Sequence, residues 1–387
     1  MMNVILFDNN REDFYPLSYT RPIANFRCGI LTIKEKWEFF FTNVSVKTAD
    51  YLSAKFLLKK TSDNLWIDST IFPSSSLISE LNNLRKGEAL IDNNDNIIGF
   101  RNAKFVSDGL NFIHSNTSFS RLNSIHDIFS INNNQIISDF NLITSKEKSF
   151  SVNDSNKVLG EKLFIKKNTK IDCAILDTRE GPIYIDDNVE IMPGSVVKGP
   201  TAILNNSILK IGAKIYGSTT IGPYCKIGGE VSNCVFFGYS SKAHDGFLGN
   251  SVIGEWCNLG ANTNNSNLKN NYAEVKLWNY KKNKFCLTGL QFCGLVMGDH
   301  SKSAISTMFN TGTIIGVGVN IFGAGFSRNF VPSFSWGGFN GFTIYKITDF
   351  FITARKVMQR RGVDFSQIDE NILTYIYNLT KSYRNEL

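Results

Sequence analysis

The sequence predicts an α/β domain, then an all-β coil of short stacked strands, then a helical tail. Three observations predict it. Apolar strand-like runs alternate with amphipathic helical stretches over 1–150. Apolar residues recur at every sixth position between about 160 and 335, often beside glycine. A 3.6-residue period takes over after 345.

In the first segment, NVILFD (3–8) reads as a buried strand ending in Asp8. GILTIKEKWEFFF (29–41) has helical spacing. NLWIDS (64–69) and SSLISELNNL (75–84) read as another strand and helix, and EALIDNNDNIIGFR (88–101) as a hairpin turning at DNND. Such alternation predicts a mostly parallel sheet. The polar stretch TSKEKSFSVNDSNK (144–157) reads as a linker, so the first domain is placed at 1–150.

From 160 to 335 the hexads pair in phase: IDDNVE-IMPGSV from 185, IGPYCK-IGGEVS at 221–232, IGEWCN-LGANTN at 253–264 and IGVGVN-IFGAGF at 315–326. A six-residue period marks a parallel β-helix with three short faces per coil. One apolar residue per hexad points inward, and a single coil cannot bury its own apolar face, so the stack is the stable unit. The stretch 265–293 breaks the repeat and reads as a loop thrown out of the coil. ITDFFITARKVMQRRG (347–362) and IDENILTYIYNLTKSYR (368–384) read as tail helices over 345–387, the first stopped by Gly362, which would cap the coil's open end.

The chain has 387 residues, 42% hydrophobic and 19% charged, with a formal charge of +7. The excess is dispersed, with no basic block and no helix–turn–helix or zinc-finger spacing, which argues against nucleic-acid binding. Seven cysteines without a CxxC pair, and a start lacking a secretory pattern, predict reduced thiols and a cytoplasmic location. No apolar run reaches membrane-spanning length.

The stretch KAHDGFLGNSVIGEWCNLGANTNNSN (242–267) carries the chemistry. Acyl transfer to an amine needs a base for the ammonium proton, and histidine titrates near neutrality. His244 is the candidate. Lys242 can meet a phosphate, and Asn258 and Asn267 can hydrogen-bond sugar hydroxyls or the amine. The cofactor supplies the activated acyl group, so neither a protein nucleophile nor a metal is required.

This stretch resembles the acetyltransferase motif of the bifunctional N-acetylglucosamine-1-phosphate uridyltransferase/glucosamine-1-phosphate N-acetyltransferase family. The resemblance implies His244 as catalytic base, Phe247 in place of a substrate-contacting tyrosine, Asn258 and Asn267 on the amino sugar, and Ala261 near the acetyl-CoA thioester. GDHSKSAISTMFNTGTIIG (298–316) resembles the next coil, with Ala304 and Ile305 near the cofactor. The substrate lysine falls in the long loop, at Lys269 or Lys276, of which Lys276 is carried forward; Glu230 is a candidate to orient His244. A left-handed coil, a homotrimer with shared sites and acetyl-CoA as cofactor are implied.

PLSYTRPIANFRCGILTIKEKW (16–37) and DIFSINNNQIISDFNLIT (127–144) resemble a nucleotidyltransferase-like group known mainly from Bacteroidetes. That implies UTP as a further substrate, Arg21 as the nucleotide-binding arginine, and Mg²⁺ if the domain turns over. No G-x-G-T-R is present; Asp8, Asp127 and Asp139 are the metal candidates.

The expected function is acetyl-CoA-dependent N-acetylation of an amino-sugar phosphate, glucosamine 1-phosphate first, with uridyltransfer giving UDP-N-acetylglucosamine for the cell envelope if both domains work. Two other readings stand beside it: a sugar-1-phosphate nucleotidyltransferase with a purely structural or regulatory coil, and a non-catalytic sugar-nucleotide-binding scaffold. A β-helix metal hydratase needs three convergent histidines, and only His244 and His300 lie in the coil.

Overall fold

The computed structural model describes residues 2–106, 108–145 and 147–384. They form two compact units. Among the described residues, the first comprises 2–14, 20–26 and those of 31–125; the second comprises 15–19, 27–30 and those of 126–384.

The first unit is built on a six-stranded sheet. The strands are β1 (Asn3–Phe7), β2 (Asn43–Lys47), β3 (Asn64–Asp68), β4 (Glu88–Ile91), β5 (Ile97–Asn102) and β6 (Asn111–His114), in the spatial order β2-β1-β3-β5-β4-β6. β1 is buried along its whole length and pairs in parallel with both β2 and β3. The sheet is mixed rather than mostly parallel, because the DNND turn folds β4 and β5 into a hairpin and β5 lies antiparallel to β3 as well. Helix α1 (Ile33–Glu38) is shorter than the periodicity suggests. Thr32 and Glu35 form a capping box that fixes its start, and Trp37 anchors it by donating its indole N–H to the Ile71 carbonyl at 3.0 Å. Helix α2 (Ser75–Asn83) is capped by Ser74 and buries Leu77 and Leu81.

The second unit is the parallel β-helix that the hexads predict, its short strands stacked in parallel from coil to coil. Its helices α3 (Asp127–Ser130) and α4 (Asn132–Thr144) fall where the sequence reading places the first domain. α4 packs on the coil: Asn132 donates to the Ser218 carbonyl and to Thr220 Oγ1. One inward ladder runs Ile165, Ile185, Ile203, Ile221, Phe236, Ile253, Met297, Ile315 and Val331, each in register with the next. Every rung is essentially excluded from solvent, and each such side chain contributes roughly 1.5–3 kcal/mol of burial. At one corner the residues turning in the left-handed region are rings. Tyr224 stacks on Tyr239 at 4.8 Å, and Tyr239 on Trp256 at 4.2 Å.

The insertion between Asn267 and Gly294 folds rather than trailing as a loop. Strands Lys276–Asn279 and Lys284–Leu287 form an antiparallel hairpin. The hairpin reaches the coil at Gly312, where an added Cβ would lie 2.2 Å from the Lys276 carbonyl and φ is +65°. The tail forms α5 (Ile347–Gln359), α6 (Gln367–Leu379) and α7 (Lys381–Arg384). Phe350 of α5 sits edge-on to both Phe334 and His300 of the coil. No helix among the described residues is long and apolar enough to cross a membrane.

Candidate active site

One corner of the coil differs in length from the corner it stacks on. Ile227 pairs with Lys242 and Glu230 pairs with Phe247. Between those pairs the lower coil has only Gly228 and Gly229, whereas the upper coil has Ala243, His244, Asp245 and Gly246. The two extra residues make the upper corner project, and His244 and Asp245 are exposed there. The imidazole makes no hydrogen bond among the described residues and belongs to an exposed residue.

Above it the coils return to equal length. Ser241 pairs with Asn258, and Asn258 with Lys302. The Asn262 N–H donates to the Asp245 carbonyl, and the Ser306 N–H to the Ala261 carbonyl. His244, Ala261 and Ile305 therefore occupy equivalent corner positions on successive coils. Ile305 is 73% exposed. Ala304 lies one position earlier, its carbonyl tight against Gly260, where an added Cβ would sit 2.5 Å from it. Asn258 is exposed on the face preceding the corner.

Phe247 opens the face that follows. Its N–H donates to Asn264 Oδ1 at 2.7 Å, and its ring lies over Gly249, where a Cβ would be 2.6 Å from Phe247 Cζ and 2.7 Å from Asn267 Nδ2. Asn267 donates to Asn250 Oδ1 at 2.8 Å. Glu230 is in register with Phe247 and makes no side-chain hydrogen bond to His244 among the described residues.

Lys242 takes a different place from the one expected. It is 1% exposed and fills a rung of an inward ladder that otherwise reads Ile171, Ile191, Leu209, Ile227 and, above it, Leu259. Its ammonium donates to the Gly228 carbonyl at 3.0 Å and the His244 carbonyl at 2.9 Å. Burial pushes its pKa down to about 8. The ammonium thus braces the projecting corner from inside and presents no face to a phosphate. The neighbouring ladder carries a second inward polar residue, Asn265, whose amide bonds to the N–H and carbonyl of Gly249. Cys234, inside the same coil, has its thiol pushed up to about 12 by burial, which leaves it inert as a nucleophile. His300 is buried against Trp256 and Phe350 and takes a packing role.

Lys276 lies apart from this corner on the inserted hairpin, where it lines a cavity of about 860 Å³. Lys269, the other candidate substrate lysine, lines the same cavity.

In the first unit, the parallel strands β2, β1 and β3 end together, and β1 is where the chain switches sides. Ligands of such sheets bind beyond the strand ends at that switch point. Asp8 there accepts from Arg11 Nη1, from Thr48 Oγ1 and from the Ile23 N–H. Asp68 accepts from Thr70 and from Arg121 Nη2, and Arg121 also bridges to Asp92 at 2.8 Å. Desolvation raises the Asp68 pKa against these partners. Sequence reasoning missed Arg11, Asp68 and Arg121; the signal for the first two was two apolar runs, NVILFD and NLWID, that each end on aspartate, whereas Arg121 follows a polar stretch and carried none. Arg21 is buried. Asp139 caps the Ile30 N–H at 2.8 Å in the second unit, a structural task. The described residues hold no cluster of three side chains able to take a metal ion. Asp8 and Asp68 are each engaged by arginine, so these residues do not fit Mg²⁺.

Residues 4–148 match the family model for sugar nucleotidyl transferases. The first domain is nucleotidyltransferase-like. The chain is also 30% identical over 139 residues to the bifunctional protein GlmU of Methanococcus aeolicus, covering 35% of this chain and 33% of that one. It is 32% identical over 87 residues to GlmU of Methanocaldococcus jannaschii, covering 22% and 21%. The chain thus matches a third or less of the length of these relatives. Among solved structures, a UDP-N-acetylglucosamine acyltransferase from Francisella novicida matches at 13% identity and a TM-score of 0.32, over 58% of this chain and 78% of that one. The LpxA acyltransferase of Bacteroides fragilis matches at 14% and 0.31, over 60% and 84%. Scores this low say nothing about substrate.

Proposed function

We propose that the coil catalyses transfer of an acetyl group from acetyl-CoA to the amine of an amino-sugar phosphate, glucosamine 1-phosphate being the first choice. The observation that carries this reading is the projecting corner: a solvent-facing imidazole in line with Ala261 and Ile305, the positions that the motif resemblance assigns to the cofactor. His244 in its neutral form takes a proton from the acceptor nitrogen. The nitrogen attacks the thioester carbonyl, the C–N bond forms, the C–S bond breaks, and the thiol of CoA leaves with a proton. Phe247, Asn258 and Asn267 hold the sugar from the two faces that flank the corner. Lys242 supports the corner from inside and leaves phosphate recognition to other cations.

Ile305, Met308 and Phe326 are exposed on adjoining coils beside this corner, and Met308 and Phe326 bridge directly. An uncovered apolar strip of this kind supports assembly with further copies of the chain, and we place the complete site in a homotrimer. The test is thiol release from acetyl-CoA with a panel of acceptors. Glucosamine 1-phosphate should support turnover and glucose 1-phosphate, which lacks the amine, should not; release that ignores the amine contradicts the proposal.

A second activity is favoured by the cluster at the switch point of the first sheet: nucleotidyl transfer to a sugar 1-phosphate from UTP, giving UDP-N-acetylglucosamine when both domains act. Pyrophosphate release from UTP that persists in His244→Ala and is lost in Arg121→Ala would support it. Release unaffected by Arg121→Ala would remove this cluster from the reaction.

A further inference from the structure

A cavity of about 860 Å³ in the second unit takes no part in the proposed acetyl transfer, and it lies within the size range of small-molecule sites. Its walls are of two kinds. Lys269, Lys276 and Arg328 line it as cations. None of the three pairs with a carboxylate among the described residues, and no Asp or Glu is among the lining side chains. Lys269 is held in place by a bond from its ammonium to the Glu274 carbonyl at 2.6 Å. The other wall is aromatic. Trp278 lies flat on Phe330 at 4.3 Å and 9°, and Phe285 meets Trp278 edge-on at 5.3 Å.

Three like charges around one opening repel unless an anion sits among them. Phosphate suits both arginine and lysine. A planar aromatic wall beside an anion site suits a base, because every base has a π face to offer. The hairpin that supplies Lys276, Trp278 and Phe285 is an insertion into the repeat, so the coil stacks without it. Its approach to the coil nevertheless depends on a residue without a side chain at Gly312.

We infer that this cavity binds a nucleoside phosphate, with the phosphates on Lys269, Lys276 and Arg328 and the base against the Trp278, Phe330 and Phe285 wall. Two sources share this chemistry: a uridine diphosphate, free or sugar-linked, and the phosphorylated adenosine end of coenzyme A. The inference rests on the cavity alone and stands whether or not the coil acetylates an amine.

The experiment is calorimetric titration of the full chain with uridine 5′-diphosphate, adenosine 3′,5′-bisphosphate and inorganic pyrophosphate, repeated on Lys276→Ala, Arg328→Ala, Trp278→Phe and His244→Ala. At least one nucleotide should bind below about 1 mM and more tightly than pyrophosphate. The preferred nucleotide identifies the source. Each cation variant should weaken it by about 10- to 100-fold, and His244→Ala should leave it unchanged. Lys276 and Arg328 are exposed, so both variants should keep the wild-type thermal midpoint; Trp278→Phe keeps a ring and should keep binding while losing indole quenching on titration. The inference is overturned by absence of nucleotide binding, by pyrophosphate binding as well as either nucleotide, or by affinity indifferent to Lys276 and Arg328.

Discussion

Lys242 shows what a single inward residue does in a stacked coil. The sequence KAHD invites a phosphate role for this lysine, but alternation along a two-residue strand turns Ser241 outward and Lys242 inward. The pairing of Ile227 with Lys242 could not be read from one sequence, because the lower corner is two residues short and shifts the hexad phase. The consequence is a titration. The unfolded chain holds the lysine proton up to the ordinary range near 10.5, whereas the folded chain releases it at about 8. Between those values the unfolded state binds more protons, so stability rises with pH. Thermal melts of wild type should gain on Lys242→Met as pH rises from 8 towards 10; parallel pH profiles would contradict this. His244 was legible as a candidate because it is one of four histidines and sits beside glycines in the repeat. Its exposure was not, since that depends on the unequal corner lengths.

At the scale of elements, the coil was legible from its period, because a ladder in register demands the same residue type at every sixth position. Ile253 is such a rung, buried between Phe236 and Met297. Ile253→Ala should cost about 2–5 kcal/mol in denaturant unfolding; a loss under 1 kcal/mol would mean the stack relaxes around the gap. The hairpin in 265–293 was not legible. Its strands are four residues each and its turn, Tyr280 to Asn283, lacks glycine. Its docking gives a separate test. Gly312→Ala forces a Cβ against the Lys276 carbonyl at a positive φ, which should cost about 1–3 kcal/mol and expose the Lys276–Asn279 strand to amide exchange. Unchanged exchange there would show that the hairpin docks by other contacts. In the first sheet, local strands were readable but order was not, because the antiparallel β5 enters through pairings distant in sequence.

For the whole molecule, the repeat aligns one corner over several coils, so the proposed base, the proposed cofactor positions and an exposed apolar strip share an edge. Charged substitutions at Ile305 and Met308 should shift the sedimentation of the chain towards monomer and lower acetyl transfer in parallel; unaltered sedimentation would contradict an interface at this strip. The account as a whole depends on His244 acting as a base at that edge. Its most direct test is the initial rate of thiol release from acetyl-CoA with glucosamine 1-phosphate, in wild type and His244→Ala at equal protein concentration and matched oligomeric state. The account predicts a loss of about 10²- to 10⁴-fold with pyrophosphate release from UTP untouched. An undiminished rate in His244→Ala would contradict it.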